Sequence, residues 1–410
     1  MKIVYVTASM PYGPGETFLI DEVRELRRRG HQVLVVPRSP KRAAVHAPFL
    51  ADSALREDLY SYRVLRDALR VFPAVRARAA SSALALLRVR RAAVGMKNLA
   101  ILPKALWLAR TAREWKADHI HCHWAGTTAS MAMVASAGSG IPWSFTAHRW
   151  DIVENNALAA KVRSASFVRV ISNNGRRLMR ALGIDHDQIH VLRMGVNIPA
   201  QAAWTPPARP VVLCPANLVA VKGHRFLIEA WRILRDRGLD GELWLAGDGE
   251  LRRPLEDLAA RLHPGGHVKF LGVVNHERLL SFYQSGSVSA VALASVDLGR
   301  GAHEGVPVAL VEAMSYGVPV VATNTGAIPE LVNANTGILV PPANAAALAE
   351  ALERALTQRF AVRAAALGRQ YVVEHHDVST IAATLERWFA AATVRPERAV
   401  GSVLCAQDQA

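Results

Sequence analysis

An apolar strand, an amphipathic helix and a second apolar strand are packed into little more than the first 35 residues, and that order leaves few folds open. Lys2 to Thr7, apolar from Ile3 to Val6, reads as a buried strand. Thr17 to Gly30 has helical spacing, with Phe18, Val23 and Leu26 on one face and Arg27, Arg28 and Arg29 near its end. Cations there suit the helix dipole, and Gly30 is a natural stop. Gln32 to Val36 reads as the next strand. Strand, helix and strand at this spacing make a βαβ unit, which implies a parallel sheet.

The alternation continues. Residues 54–116 read as mostly helical and rich in Ala, Leu and Arg. Strands are expected at His119 to His123, Trp143 to Thr146, Val168 to Ser172 and Val191 to Asn197, with a small-residue helix from Ala125 to Ala137. Residues 199–210 carry four prolines and no helical period, as a linker would. The pattern then restarts. Strands are expected at Val211 to Pro215, Glu242 to Ala246, Val268 to Gly272, Ser289 to Ala294 and Val318 to Thr323. Helices are expected at Gly223 to Arg237, Glu250 to Leu262 and Ala343 to Leu356. This divides the chain into a first α/β domain (1–198), a linker (199–210), a second α/β domain (211–376), a last helix (377–392) crossing back to the first, and a mobile tail (393–410). The 410 residues suit two domains of roughly 190 each.

Composition narrows the setting. Cys122, Cys214 and Cys405 stand singly, which points to a reducing compartment and a cytoplasmic protein. The N-terminus runs straight into the first strand, and no apolar window is long enough to span a bilayer, so neither a signal segment nor a membrane span is expected. The formal net charge is +15. A basic surface seeks phosphates. No nucleic-acid module is recognisable, so an anionic membrane face is the expected partner.

The segment Glu304 to Thr323 carries the chemistry. Pro307 sits where a helix can start and Gly317 where it can stop. Glu304 precedes that helix and Glu312 lies on it. The free N–H groups of a helix N-terminus suit a phosphate, and two flanking carboxylates suit sugar hydroxyls. A capped helix with two solvated glutamates would read the same way.

Glu304 and Glu312 resemble the paired glutamates of glycosyltransferase family 4, of GT-B fold. Asn217-Leu-Val-Ala-Val-Lys222-Gly223, Gly247-Asp248-Gly249, Phe270-Leu-Gly272, Thr325-Gly326-Ala-Ile-Pro329-Glu330 and Gly337-Ile-Leu-Val340 resemble further motifs of that family in the same order. In the first half, Pro11 to Phe18, His119 to His123 and Phe145 to Asp151 are similar to its exopolysaccharide and colanic-acid branch. The resemblance implies two Rossmann-like domains facing a cleft. It implies a retaining hexosyltransferase that moves sugar from a nucleotide-diphosphate donor to a hydroxyl of a polyprenyl-diphosphate-linked or other glycan, with no metal or other cofactor. His148, Glu304 and Lys222 would be catalytic. Lys222 would meet the diphosphate, Glu304 the sugar and Glu312 the ribose. Backbone at Gly305, Val306, Pro307 and Val308 would hold the β-phosphate. Gly272 and Val274 would border the base, and Gly247, Thr325 and Gly326 would complete the donor site. Gly15, Glu16, Thr17, His121, His123 and Asp151 would form the acceptor side. Asn217 stands where the family places an Arg for the diphosphate, so another cation would have to compensate.

Other readings stay open. His119, His121 and His123 share a strand face and could bind metal, but no Cys or carboxylate cluster in the sequence completes a site. Asp185-His186-Asp187 has the letters of a metal motif but sits in a polar turn. Gly13-Pro14-Gly15 could be a plain turn. A GT-B epimerase or phosphorylase, or a degenerate sugar-nucleotide binder, would share the architecture.

Overall fold

The computed structural model describes residues 1–13, 16–40, 54–200, 204–299 and 301–394, apart from the side chains of residues 76, 78, 79, 358, 359 and 394. Gly15 and the expected tail beyond 394 lie outside the described residues.

The first half runs β1 (Lys2–Thr7), α1 (Leu19–Arg28), β2 (Gln32–Pro37), α2 (Tyr62–Leu87), α3 (Ala92–Ala100), α4 (Leu102–Glu114), β3 (His119–His123), α5 (Thr127–Ser139), β4 (Trp143–Ala147), α6 (Arg149–Glu154), α7 (Leu158–Ser164), β5 (Phe167–Val170), α8 (Asn173–Ala181) and β6 (Ile189–Val191). The second runs β7 (Val211–Pro215), α9 (His224–Asp236), β8 (Glu242–Ala246), α10 (Arg252–Leu262), β9 (Val268–Gly272), α11 (His276–Gln284), β10 (Ala290–Leu293), α12 (Val308–Ser315), β11 (Val320–Thr323), β12 (Ile338–Val340), α13 (Ala345–Ala355), α14 (Gln358–His376) and α15 (Val378–Val394).

Two parallel six-stranded sheets result, ordered β2-β1-β3-β4-β5-β6 and β12-β11-β10-β7-β8-β9. Both sheets are covered on both faces, which is why β1, β3 and β10 are apolar or buried throughout rather than alternating. Strand order reverses between β1 and β3 in one sheet and between β7 and β10 in the other. Loops diverge at such points and leave a crevice beyond the carboxyl ends of the strands.

The helical segment 54–116 consists of three helices. Arg88 closes α2 and Arg91 opens α3, so the chain turns at a basic corner. Pro73 sits inside α2. The strand expected over Val191 to Asn197 lies at Ile189–Val191 instead, because the edge of the sheet offers only Val168 to Val170 as partners. Helix α14 was not foreseen from the sequence.

The chain crosses between the halves twice at one point. Val196 donates its N–H to the His376 carbonyl at 2.8 Å, and Val378 returns a bond to Val196 at 3.0 Å. A Cβ at Gly195 would lie 2.7 Å from Val378 Cα, so only glycine fits where the crossings touch. Helix α15 then packs on α1 and β3 of the first half. Ile381, Leu385 and Phe389 join the core of α1 and the first two strands, and Arg29 donates to the Ser379 carbonyl at 2.8 Å.

Candidate active site

In the second half, the loop after β7 ends in a single 3-10 turn, Ala220 to Lys222, and Gly223 at φ +61°. A Cβ on Gly223 would lie 2.0 Å from the Ala294 carbonyl oxygen, and one on Gly247 would lie 2.1 Å from that of Ala216. Glycine at these two positions lets three loop backbones stack edge to edge. Lys222 is thereby carried to Glu304, with which it forms an ion pair. Ser295 donates its hydroxyl to the same carboxylate at 3.3 Å. Gly326, at φ +56°, lies so close that a Cβ would sit 1.9 Å from the Glu304 carbonyl oxygen. Thr325 beside it is buried, and its hydroxyl has no protein partner among the described residues.

Helix α12 begins after Pro307 with no side-chain cap. The Leu310 N–H donates to the Pro307 carbonyl at 3.0 Å, which leaves the N–H groups of Val308 and Ala309 for an anion. One turn on, Glu312 accepts from His276 Nε2 at 2.8 Å. That bond holds the His276 imidazole above its ordinary pKa.

In the first half, a buried relay runs under the crevice. Arg169 donates to Glu22 at 2.6 Å, His123 Nε2 donates to Glu22 at 3.1 Å, and His123 Nδ1 lies 3.2 Å from His148 Nε2. With Nε2 of His123 donating, its Nδ1 accepts, so His148 carries its proton on Nε2, and its side chain accepts the Asp151 N–H in the capping box of α6. Burial holds both imidazoles below their ordinary pKa, His148 well below, so His148 is neutral. The Glu22 carboxyl is held well below its usual range: burial opposes this, and Arg169 and His123 outweigh it. Trp124, whose ring centroid lies 4.2 Å from that of His148, also lines a cavity of about 600 Å³ with Arg38, Lys97, Thr127, Trp150 and Glu154 among others.

The two halves meet across the crevice. Glu330 accepts from the backbone N–H groups of Asn173 at 2.8 Å and Asn174 at 2.6 Å, capping α8 from the other half. Val153 on α6 packs against Gly301.

A family model for glycosyl transferases group 1 matches residues 201–388, and one for a glycosyl transferase 4-like domain matches residues 16–195. This chain belongs to the family 4, group 1 glycosyltransferases. The amylovoran biosynthesis glycosyltransferase AmsK of Erwinia amylovora is 34% identical over 190 residues, 45% of this chain and 46% of that protein. The putative colanic acid biosynthesis glycosyltransferase WcaL of Escherichia coli is 35% identical over 181 residues, 42% and 43% of the two chains. The chain thus matches less than half the length of these relatives. The GT-B fold extends over the whole: the HepE protein of Anabaena, solved with UDP and glucose, is 20% identical with a TM-score of 0.70, covering 95% of this chain and all of that one.

Within this family 4 chain, the second-half residues singled out from sequence fall together. Lys222, Glu304 and the Thr325–Gly326 loop form one cluster, joined by Ser295, which the sequence did not single out, and Gly305 to Val308 lead from it into α12. Glu312 lies further along the same helix. Gly272, at φ +68°, and Val274 lead from β9 to α11 and its His276. Asn217 is exposed, and only its backbone is engaged, by Val219 at 2.8 Å.

The first half corrects four sequence readings. His121 is fully buried, with Ser144 at 2.7 Å and Thr146 at 3.1 Å on its two nitrogens and Phe389 against its ring, so it belongs to the core. His123 is equally buried: its nitrogens meet Glu22 and His148, and its ring packs against Tyr5, Phe18 and His121. Asp151 lines the cavity, but its carboxylate caps α6 through the His148 N–H at 2.8 Å and also accepts from Ala125, so it is spent on backbone rather than open to an acceptor. Glu16 is consumed in the same way by Ala8, Ser9, Met10 and Trp124. Thr17 remains half-buried at the start of α1.

Glu22, His121 and His123 present ligand atoms within 4.8 Å of one another. Glu22 was missed as a partner because it lies about 100 residues away in sequence. These atoms already serve Arg169, Tyr5, Ser144 and Thr146. The donor set is a satisfied hydrogen-bond network. His276 and Arg149 were also missed. The only sequence signal for His276 was the helix-capping Asn275 just after the β9 glycine.

Proposed function

We propose that this protein is a retaining hexosyltransferase that takes sugar from a nucleotide-diphosphate donor and gives it to a hydroxyl of a lipid-linked glycan in surface-polysaccharide synthesis. The observation that carries it is the Lys222–Glu304 cluster lying beside the uncapped start of α12 at the β7/β10 switch point. Lys222 and the α12 N–H groups would take the charge that develops on the departing diphosphate, a role that needs no metal. Glu304 is engaged by Lys222 and Ser295, which disfavours it as a covalent nucleophile. The acceptor oxygen would attack from the face the diphosphate leaves, the anomeric C–O bond to phosphate would break, and the acceptor proton would pass to the departing phosphate oxygen. Neutral His148 would border the reacting sugar, its ring held by His123 and by the Asp151 N–H. Glu312 would hold the ribose diol. The cavity lined by Trp124, Trp150, Arg38 and Lys97 would receive the acceptor. Membrane docking at the inner face is supported by apolar side chains exposed on α2 and α3, among them Tyr62, Leu69, Phe72 and Met96.

The test is a screen of UDP- and GDP-hexoses for slow hydrolysis and for protection against thermal unfolding, since a bound donor stabilises by mass action. Lys222→Ala and Glu312→Ala are each expected to weaken the donor about 10- to 100-fold while keeping the melting temperature of the free protein. Turnover is expected to persist in excess EDTA. Donor affinity unchanged in both variants would remove the site from this cluster. Full loss in EDTA, restored by Mg²⁺ or Mn²⁺, would assign the charge stabilisation to a metal. Binding without turnover for every donor and acceptor tried would identify a sugar-nucleotide binder instead.

A further inference from the structure

Helix α6 leaves the carboxyl end of β4 with Arg149 as its first residue, directly after His148. Its guanidinium carbon lies 3.9 Å from the centroid of the Trp150 ring, and the residue is 6% exposed. Nε and Nη1 are both shut off from solvent, and neither has a hydrogen-bond partner among the described residues. A guanidinium carries five N–H donors and stays protonated. Leaving two of its nitrogens dry is costly, so the fold holds a cation here without the groups that would satisfy it.

The side of the molecule on which it acts is fixed by its neighbours. Trp150 and Asp151 line the acceptor-side cavity, whereas Arg149 does not. One turn along α6, Val153 packs on Gly301, in the loop that carries Asp297 and Glu304. Burial holds the Arg149 guanidinium below its ordinary pKa, and Glu304 and Asp297 across the crevice oppose that. Glu304 does not satisfy it, because the carboxylate is taken by Lys222 and Ser295. Lys222 and Glu304 pair with one another and Asn217 brings no charge; Asp297 answers Arg149 in charge at a distance, but no carboxylate bonds its two dry nitrogens among the described residues.

We infer that Arg149, supplied by the first domain, is the second cation for the donor's diphosphate and binds it together with Lys222 of the second domain. This rests on the donor reading above and extends it: a pyrophosphate held from both halves would tie them together. A phosphate pair would supply the acceptors that Nε and Nη1 lack. The charge absent at Asn217 would then come from the opposite wall of the crevice.

The experiment titrates the full chain with UDP, GDP, uridine and guanosine by calorimetry, in wild type, Arg149→Met and Arg149→Met/Asn217→Arg. Wild type is expected to bind one nucleoside diphosphate more tightly than its nucleoside. Arg149→Met is expected to weaken that diphosphate about 10- to 100-fold and leave the nucleoside unchanged. Adding Asn217→Arg is expected to recover about tenfold, since it returns a guanidinium to the crevice. Should Arg149→Met not fold, Arg149→Gln keeps polarity without charge and serves the same comparison. Equal diphosphate affinity in wild type and the neutral variant overturns this inference and leaves the donor reading standing. Parallel loss of diphosphate and nucleoside makes Arg149 structural and overturns it equally. Failure of the wild type to bind either diphosphate overturns the donor reading and this inference together.

Discussion

Glu16 shows how a residue that reads as a ligand contact can be a structural pin. Its carboxylate accepts from the N–H groups of Ala8 at 2.9 Å, Ser9 at 2.8 Å and Met10 at 3.0 Å, and from Trp124 Nε1 at 2.7 Å. It does so from a backbone at φ +69°, where L residues are uncommon. In Glu16→Gln an NH₂ must face two donors whichever way the amide turns. The variant is expected to lose about 2–3 kcal/mol of stability, read as a lower urea midpoint at unchanged slope. An unchanged midpoint would return Glu16 to the acceptor side. Sequence could not separate these roles, because pinning and binding both place a polar residue in a glycine-rich loop after a strand. Lys222, Glu304 and Gly326 were legible for the opposite reason. Each stands at a fixed offset from a glycine or proline that only one backbone path explains. Arg149 had no such punctuation: its meaning depends on which nitrogens are left dry, which no spacing records.

At the level of elements, the alternation of strands and helices was legible because buried parallel strands are continuous apolar runs. The turn between α2 and α3 was not, since Ala, Leu and Arg suit a helix on either side of it. That turn bears on the proposed membrane contact. Of the 14 Lys and Arg between residues 56 and 116, Lys104 is buried, its ammonium donating to the carbonyls of Pro37 at 2.7 Å and Arg38 at 2.9 Å. Arg63, Arg66 and Arg110 are paired with acids. Arg70, Arg88, Arg90, Arg91 and Lys97 are exposed. Beside them Tyr62 is 78% exposed, Leu69 75% and Phe72 51%, a helical stripe of large apolar groups open to solvent. Charge and apolar area on one pair of helices suit an anionic bilayer surface, at about 1 kcal/mol per basic residue. The chain is expected to sediment with phosphatidylglycerol vesicles and stay free of neutral ones. Binding should fall with salt, and should be lost when Arg88, Arg90 and Arg91 are changed to Glu. Recovery in the supernatant with both vesicle types at low salt would favour a soluble acceptor.

Across the whole molecule, burial of histidine ties the fold to pH. His119 is held down to about 3 by burial alone, and His224 and His376 to about 4 with burial as the main cause. His121, His123 and His148 are lowered as well, again chiefly by burial. An unfolded histidine titrates near 6.5. Between that value and the folded one, the unfolded chain binds a proton that the native state refuses. Stability contributed by these six groups is therefore present above about pH 6.5 and lost as pH falls through the folded values, at about 1.4 kcal/mol per pH unit for each group titrating only in the unfolded chain. Asp151 acts in the other direction. Burial raises its pKa to about 7, so the native state holds a proton that the unfolded chain has released above about pH 4. One acid cannot offset six imidazoles, and the balance favours proton uptake on unfolding. The melting temperature is expected to fall continuously from pH 6.5 to 4.5. Calorimetry in buffers of different ionisation enthalpy should report several protons taken up at pH 5.5. A melting temperature flat over that range, with uptake near zero, would mean that the buried imidazoles are already protonated in the native state. The relay from Arg169 through Glu22 and His123 to a neutral His148 would then have to be redrawn.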